Sequence, residues 1–185
     1  LGEIAKYSKD KISFEYLNEK NYVGVENLLK NRLGKIDSNN VPTEGSSIKF
    51  NIGNILIGNI RPYLRKIWLA NIEGGTNGDV LAISINNKYK NEILSKYLYQ
   101  VLSSERFFDY DIKYSKGAKM PRGDKKKIME YKIPLPPLPV QEYIVSILDK
   151  FDALVNDLSQ GLPREIELRQ KQYEYYREKL LNFEK

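Results

Sequence analysis

Two Leu-Pro steps, Leu138-Pro139 and Leu162-Pro163, constrain the fold of this chain more than any other feature. Proline suits the first turn of a helix, where its missing N–H would be unpaired anyway, and it breaks a helix further in. Acidic residues follow each step, Glu142 after the first and Glu165 and Glu167 after the second, where they favour the positive helix end. Between the two steps, Ser159-Gln160-Gly161 offers a glycine for the left-handed residue that closes a helix. The punctuation predicts two helices in series, about 139–160 and 163–184, forming a C-terminal region over 139–185.

The two helices differ in their apolar faces. The first carries Val140, Ile144, Ile147, Leu148, Phe151, Leu154, Val155 and Leu158, a broad stripe suited to packing on a domain. In the second, Leu162, Ile166, Arg169, Tyr173, Tyr176, Leu180 and Phe183 recur in alternating steps of four and three. That narrow heptad seam fits a coiled coil, and its polar members favour one register over many. A homodimer through this seam is expected. The competing reading is a helix that covers its own domain's core.

Charge separates this tail from the body. Residues 1–138 hold 23 Lys and Arg against 15 Asp and Glu, a net +8, whereas residues 139–160 hold one Lys against four acids. A polyanion is therefore expected at the body and not along the tail. The chain has 185 residues, 41% of them hydrophobic, which is enough for one ordinary core. With no cysteine and no histidine, disulfides, Cys or His zinc sites, thiolate nucleophiles and histidine acid-base catalysis are excluded. No apolar run approaches a membrane span and the N-terminus is not signal-like, so a cytoplasmic protein is expected.

Within the body, short β-prone runs alternate with Gly and Asn. Tyr22-Val23-Gly24-Val25 and the segments 52–60, 67–72 and 80–85 read as strands, 31–47 as loop, and 91–112 as one helix. A basic loop over 113–127, a short helix over 124–130 and a last strand over 131–135 complete it. This order predicts an α+β fold: a mixed, mostly antiparallel sheet with peripheral helices over 1–138, then the long helical extension.

Three stretches of the body carry binding chemistry. In Gly58-Asn59-Ile60-Arg61-Pro62-Tyr63-Leu64-Arg65-Lys66, the cations Arg61, Arg65 and Lys66 suit phosphates or guanine edges. Asn59 suits adenine, and Tyr63 follows the stiffening Pro62. The loop 113–127 holds seven basic residues and one acid, among them Lys116, Lys119 and Arg122, with Gly117 and Gly123 permitting close backbone approach. Gly74-Gly75-Thr76-Asn77-Gly78-Asp79 reads as a tight turn that adds Thr76 and Asn77. For each stretch the competing reading is a solvated loop.

Enzyme readings are weaker. Asp124 with Glu130-Tyr131-Lys132 imitates the acidic-x-Lys core of a metal nuclease, but so short a pattern matches by chance. Arg61-Pro62-Tyr63 has the Pro-Tyr pair of amino-methyltransferases without the Asn or Asp that leads their motif. Neither a catalytic nor a metal site is assigned.

The tail strings Ile133-Pro134-Leu135-Pro136-Pro137-Leu138-Pro139-Val140-Gln141-Glu142, Ile147-Leu148-Asp149-Lys150-Phe151-Asp152-Ala153-Leu154 and Gly161-Leu162-Pro163-Arg164-Glu165-Ile166-Glu167 resemble the helical region of type I restriction-modification specificity subunits. Val23-Gly24-Val25-Glu26-Asn27-Leu28, Gly58-Asn59-Ile60-Arg61-Pro62-Tyr63 and Gly117-Ala118-Lys119-Met120-Pro121-Arg122-Gly123-Asp124 resemble a target recognition domain of that family. The resemblance implies a non-catalytic subunit whose body reads one half of a bipartite double-stranded DNA target while its tail spaces two such bodies. It also implies methyltransferase partners that use S-adenosylmethionine, and a motor-nuclease (restriction) subunit. Mg and ATP, like S-adenosylmethionine, are then needed only in those partners. Typical specificity subunits hold two recognition domains and two helical regions, whereas this sequence holds one of each, so it reads as a half-subunit or a fragment. A scaffold that gathers methyltransferases with only nonspecific DNA affinity is the alternative function.

Overall fold

The computed structural model describes residues 1–156 and 161–181. The chain divides into two compact units, Leu1–Gln141 and Glu142–Lys185.

The first unit holds two four-stranded sheets, so the α+β expectation holds. One sheet has the order β1 (Ala5–Tyr7), β8 (Val80–Ile85), β5 (Ile55–Gly58), β6 (Ile67–Leu69), antiparallel throughout. The other runs β2 (Lys11–Ser13), β4 (Ser46–Phe50), β7 (Gly74–Thr76), β3 (Tyr22–Val23), and only β3 and β7 pair in parallel. Val23, Leu28, Phe50, Leu56, Ala70, Val80 and Ala82 form a core to which both sheets contribute. Phe50 meets Trp68 edge to face at 5.9 Å. A second apolar group gathers Phe107, Phe108 and Tyr131, with ring centroids 5.2–5.4 Å apart.

Several expected boundaries move for physical reasons. The strand expected over 52–60 forms a ladder only over Ile55–Gly58, with a lone bridge from Ile60 to Arg122; before it, Gly53 turns at φ 83° and Ile52 stays exposed. The helix expected over 91–112 is two, α1 (Ser95–Leu102) and α2 (Glu105–Tyr114). Ser104 separates them with extended backbone and accepts a hydrogen bond from Phe107 N at 3.2 Å, the ordinary N-cap arrangement. The turn expected over 74–79 is a strand in its first half. A Cβ at Gly74 would collide with the Asn21 carbonyl oxygen, so these glycines let β7 lie close to its neighbours. The last strand expected over 131–135 has no ladder, and the chain there runs without regular structure into prolines. The expected loop over 31–47 holds a 3-10 turn at Lys30–Arg32 and ends in β4. The short helix expected over 124–130 is α3 (Lys125–Glu130), which Asp124 caps.

The prolines lead into α4 (Leu138–Asn156), which begins in the first unit and ends in the second. Its first turn is fixed by Gln141, which is fully buried. The Gln141 amide donates to the Glu92 and Pro136 carbonyls at 2.8 Å each and accepts from Leu94 N at 3.0 Å. The broad stripe of α4 is covered only in part: Ile144, Ile147 and Leu148 are half-buried, while Val140, Phe151, Leu154 and Val155 are exposed.

In the second unit, α5 (Leu162–Leu181) starts at the second Leu-Pro step. Leu162, Ile166, Tyr173 and Tyr176 of the expected seam are exposed, as is Arg169, which donates to Gln172 at 3.2 Å. The side chain of Leu180 lies outside the described residues, as do Phe183, Leu158 and the junction at Ser159 and Gln160. No described helix is long and apolar enough to cross a membrane.

Candidate nucleic-acid interface

The three stretches singled out in the body are far apart in sequence and are joined by their backbones. Asn59 N donates to the Asp79 carbonyl at 2.8 Å, Arg61 N to the Pro121 carbonyl at 2.7 Å, and Gly123 N to the Asn59 carbonyl at 3.1 Å. Lys116 and Arg122 pair across the basic loop with two hydrogen bonds of 2.8 and 2.9 Å, with Gly117 turning it at φ 103°. One surface therefore carries the turn after β5, the turn after β7 and the basic loop together.

Exposed cations stand on this surface. The side chains of Arg61 and Lys119 are exposed and have no ion-pair or hydrogen-bond partner among the described residues, so their charge is available to a ligand. Lys116 pairs with Asp124 at 2.6 Å and Arg122 with Asp79 at 3.0 Å, yet both remain exposed. Tyr63 and Met120, each about half exposed, add apolar area between the charges. Lys125 and Lys126 extend the positive rim at the start of α3.

Other expected contact residues are engaged inside the fold. Lys66 donates to the Val25 carbonyl at 2.5 Å, and burial pushes its pKa down. Arg65 pairs with Glu105 at 2.6 Å. Glu105 also takes the guanidinium of Arg32, which in turn donates to the Ser103 carbonyl at 3.0 Å. Thr76 is fully buried and its hydroxyl donates to the Val23 carbonyl at 2.5 Å, so it serves the sheet and not the surface. The side-chain oxygen of Asn77 accepts from Asp79 N at 3.0 Å and shapes the turn. Asn59 is buried, with Oδ1 unpartnered beside Gly123 and near Asp111. What a sequence cannot show is which cation already has a partner: Glu105 lies 40 positions from Arg65, and Asp79 lies 43 from Arg122.

The acids considered for a nuclease centre have structural work. Asp124 caps α3 by accepting from Lys126 N and Lys127 N at 3.0 and 3.3 Å, and the Lys116 ammonium bonded to it holds its pKa down. Glu130 pairs with Lys127 at 2.6 Å. Among the described residues, no group of three or more His, Cys, Asp or Glu could hold a metal ion.

Comparison with known proteins identifies the family. The type I restriction modification DNA specificity domain profile matches residues 1–168. Over 93 residues the chain is 48% identical to the specificity subunit of an Escherichia coli type I restriction enzyme, covering 50% of this chain and 23% of that subunit. A Mycoplasma pneumoniae type I specificity subunit is 41% identical over 98 residues, 52% of this chain and 30% of that protein. The fold matches the crystal structure of the HsdS subunit from Thermoanaerobacter tengcongensis with a TM-score of 0.65 and 20% identity, over 97% of this chain and 45% of that one. The chain thus spans less than half the length of these relatives. It belongs to the type I restriction-modification specificity family, whose members are named for choosing DNA and not for catalysis.

Proposed function

We propose that the chain reads one half of a bipartite double-stranded DNA target and positions methyltransferase subunits on it, within a complex that also recruits a restriction subunit. The observation that supports this most is the backbone-bonded convergence of three stretches that leaves Arg61 and Lys119 free on a basic surface. Phosphate contacts supply affinity and register, whereas base edges supply specificity. Arg61, with a neighbouring tyrosine and a strained turn behind it, suits the second role, and Lys119 at the loop tip suits the first. S-adenosylmethionine, Mg and ATP belong to the partner subunits, in the cytoplasm where DNA is accessible.

In this reading the tail pairs α5 with the α5 of a second copy. With 20 residues, α5 is about 30 Å long at 1.5 Å per residue, close to the spacing of half-sites one turn apart. Its exposed Leu162, Ile166, Tyr173 and Tyr176 suit such a seam.

The test is duplex selection from a randomised library with the full chain, followed by affinity against the enriched and a scrambled duplex. Enrichment of a defined sequence with a preference of at least about a thousandfold is expected, the lower end of the usual range for specific binders. Equal affinity for both duplexes favours the nonspecific scaffold. Lys119→Ala should lower the salt slope by about one and weaken both duplexes alike, whereas Arg61→Ala should weaken the enriched duplex more.

A further inference from the structure

Among the described residues, four other than glycine hold left-handed backbone: Asn31, Arg32, Arg61 and Arg65, with φ of 55°, 66°, 54° and 51°. Asparagine tolerates this region, but an arginine has no local reason to enter it, and the cost is about 1–2 kcal/mol per residue. Such strain persists only where the surroundings over-determine it, and it concentrates at functional sites. These residues form one feature. Arg61 and Arg65 flank the 3-10 turn Pro62–Leu64, and Arg32 N donates to the Arg65 carbonyl at 3.0 Å.

The turn is held from two sides. In front, Arg61 N is bonded to Pro121 in the basic loop. Behind, Glu105 gives one carboxylate oxygen to Arg65 and the other to Arg32. Glu105 is the first residue of α2, so it also faces the positive end of that helix. An exposed ion pair alone contributes little. Here, though, two guanidiniums share one acid at a helix N-terminus, and without it they repel each other and the dipole.

We propose that Glu105 is the positioning residue of the recognition turn, holding Arg65 and Arg32 in left-handed backbone and thereby setting where Arg61 and Tyr63 stand. Its consequence for DNA rests on the reading of this surface given above. Ordering the turn before DNA arrives removes an entropy cost from binding, so the acid raises selectivity although it repels phosphate.

That opposition of signs makes the test sharp. If Glu105 were only a negative charge near DNA, Glu105→Gln would tighten the enriched and scrambled duplexes equally. As a positioning residue, its loss lowers the affinity ratio roughly tenfold, the scale of one well-placed base contact. Arg65→Lys keeps the net charge and loses the planar fork, and it should lower the ratio in the same direction. Amide hydrogen exchange of the free full chain supplies a readout without DNA. Arg32, Arg61 and Arg65 should exchange about tenfold faster in both variants, with β5 and β8 unchanged. An unchanged ratio in both variants, or wild-type exchange at the three amides, overturns the proposal. A wild-type chain that prefers neither duplex overturns the DNA reading, and the exchange rates still decide whether Glu105 sets the turn.

Discussion

Asp111 is the least comfortable side chain among the described residues. It lies in α2, is buried, and neither carboxylate oxygen has a hydrogen-bond partner. Burial pushes its pKa up to about 6, against an ordinary value near 3.9 in an unfolded chain. The folded state therefore holds this proton more tightly than the unfolded state. The contribution is favourable below about pH 4 and is lost as pH rises through about 6, where the folded carboxyl must ionise without a partner. The integrated difference is about 3 kcal/mol as an upper bound. Asp111→Asn should remove that decline and raise stability at pH 7 by roughly 1–3 kcal/mol, measured by urea unfolding at pH 4 and pH 7. A wild-type chain equally stable at both pH values would contradict this account of Asp111. Helical spacing puts Asp111, four after Phe107 and three after Phe108, on the buried face of α2 and leaves Asp109 off it, whereas its approach to Gly123 and Asn59 is a long-range feature.

At the scale of elements, Gln141 joins the end of the proline run, the segment before α1 and the first turn of α4 through three backbone groups. Truncation leaves those groups without partners in a site closed to water. Gln141→Ala should therefore cost roughly 2–4 kcal/mol in chemical denaturation, and Gln141→Leu, which fills the volume, should not recover it. Elements with a local signature were legible in the sequence: α4 and α5 from their Leu-Pro steps, and β8 from its apolar run over 80–85. Elements that depend on distant partners were not. β2 and β4 are short and half-polar, and β7 is Gly-Gly-Thr, a sequence that becomes a strand only because Asn21, Ile12 and Ser47 leave no room for side chains. The convergence of the three stretches was not legible, because backbone bonds between distant residues join them, and the ion pairs that occupy Arg65 and Arg122 are likewise long-range and were hidden.

At the scale of the whole molecule, the proposed function gives the basic unit and the helical unit separable roles that one substitution can tell apart. Tyr176→Glu places a charge in the exposed seam of α5. Light scattering should then report the mass of one chain where the parent gives two, while affinity of each chain for a single half-site stays the same. An unchanged mass would move the contact between copies elsewhere. The candidate surface is framed by main-chain bonds, from Asn59 to Asp79, Arg61 to Pro121 and Gly123 to Asn59. A frame built from peptide groups is indifferent to what projects from it. Exposed positions such as Tyr63, Lys119 and Met120 can thus be exchanged while the main-chain bonds keep the loops in place, which under the proposed function gives mutation a route to new target sequences without first having to invent a new support.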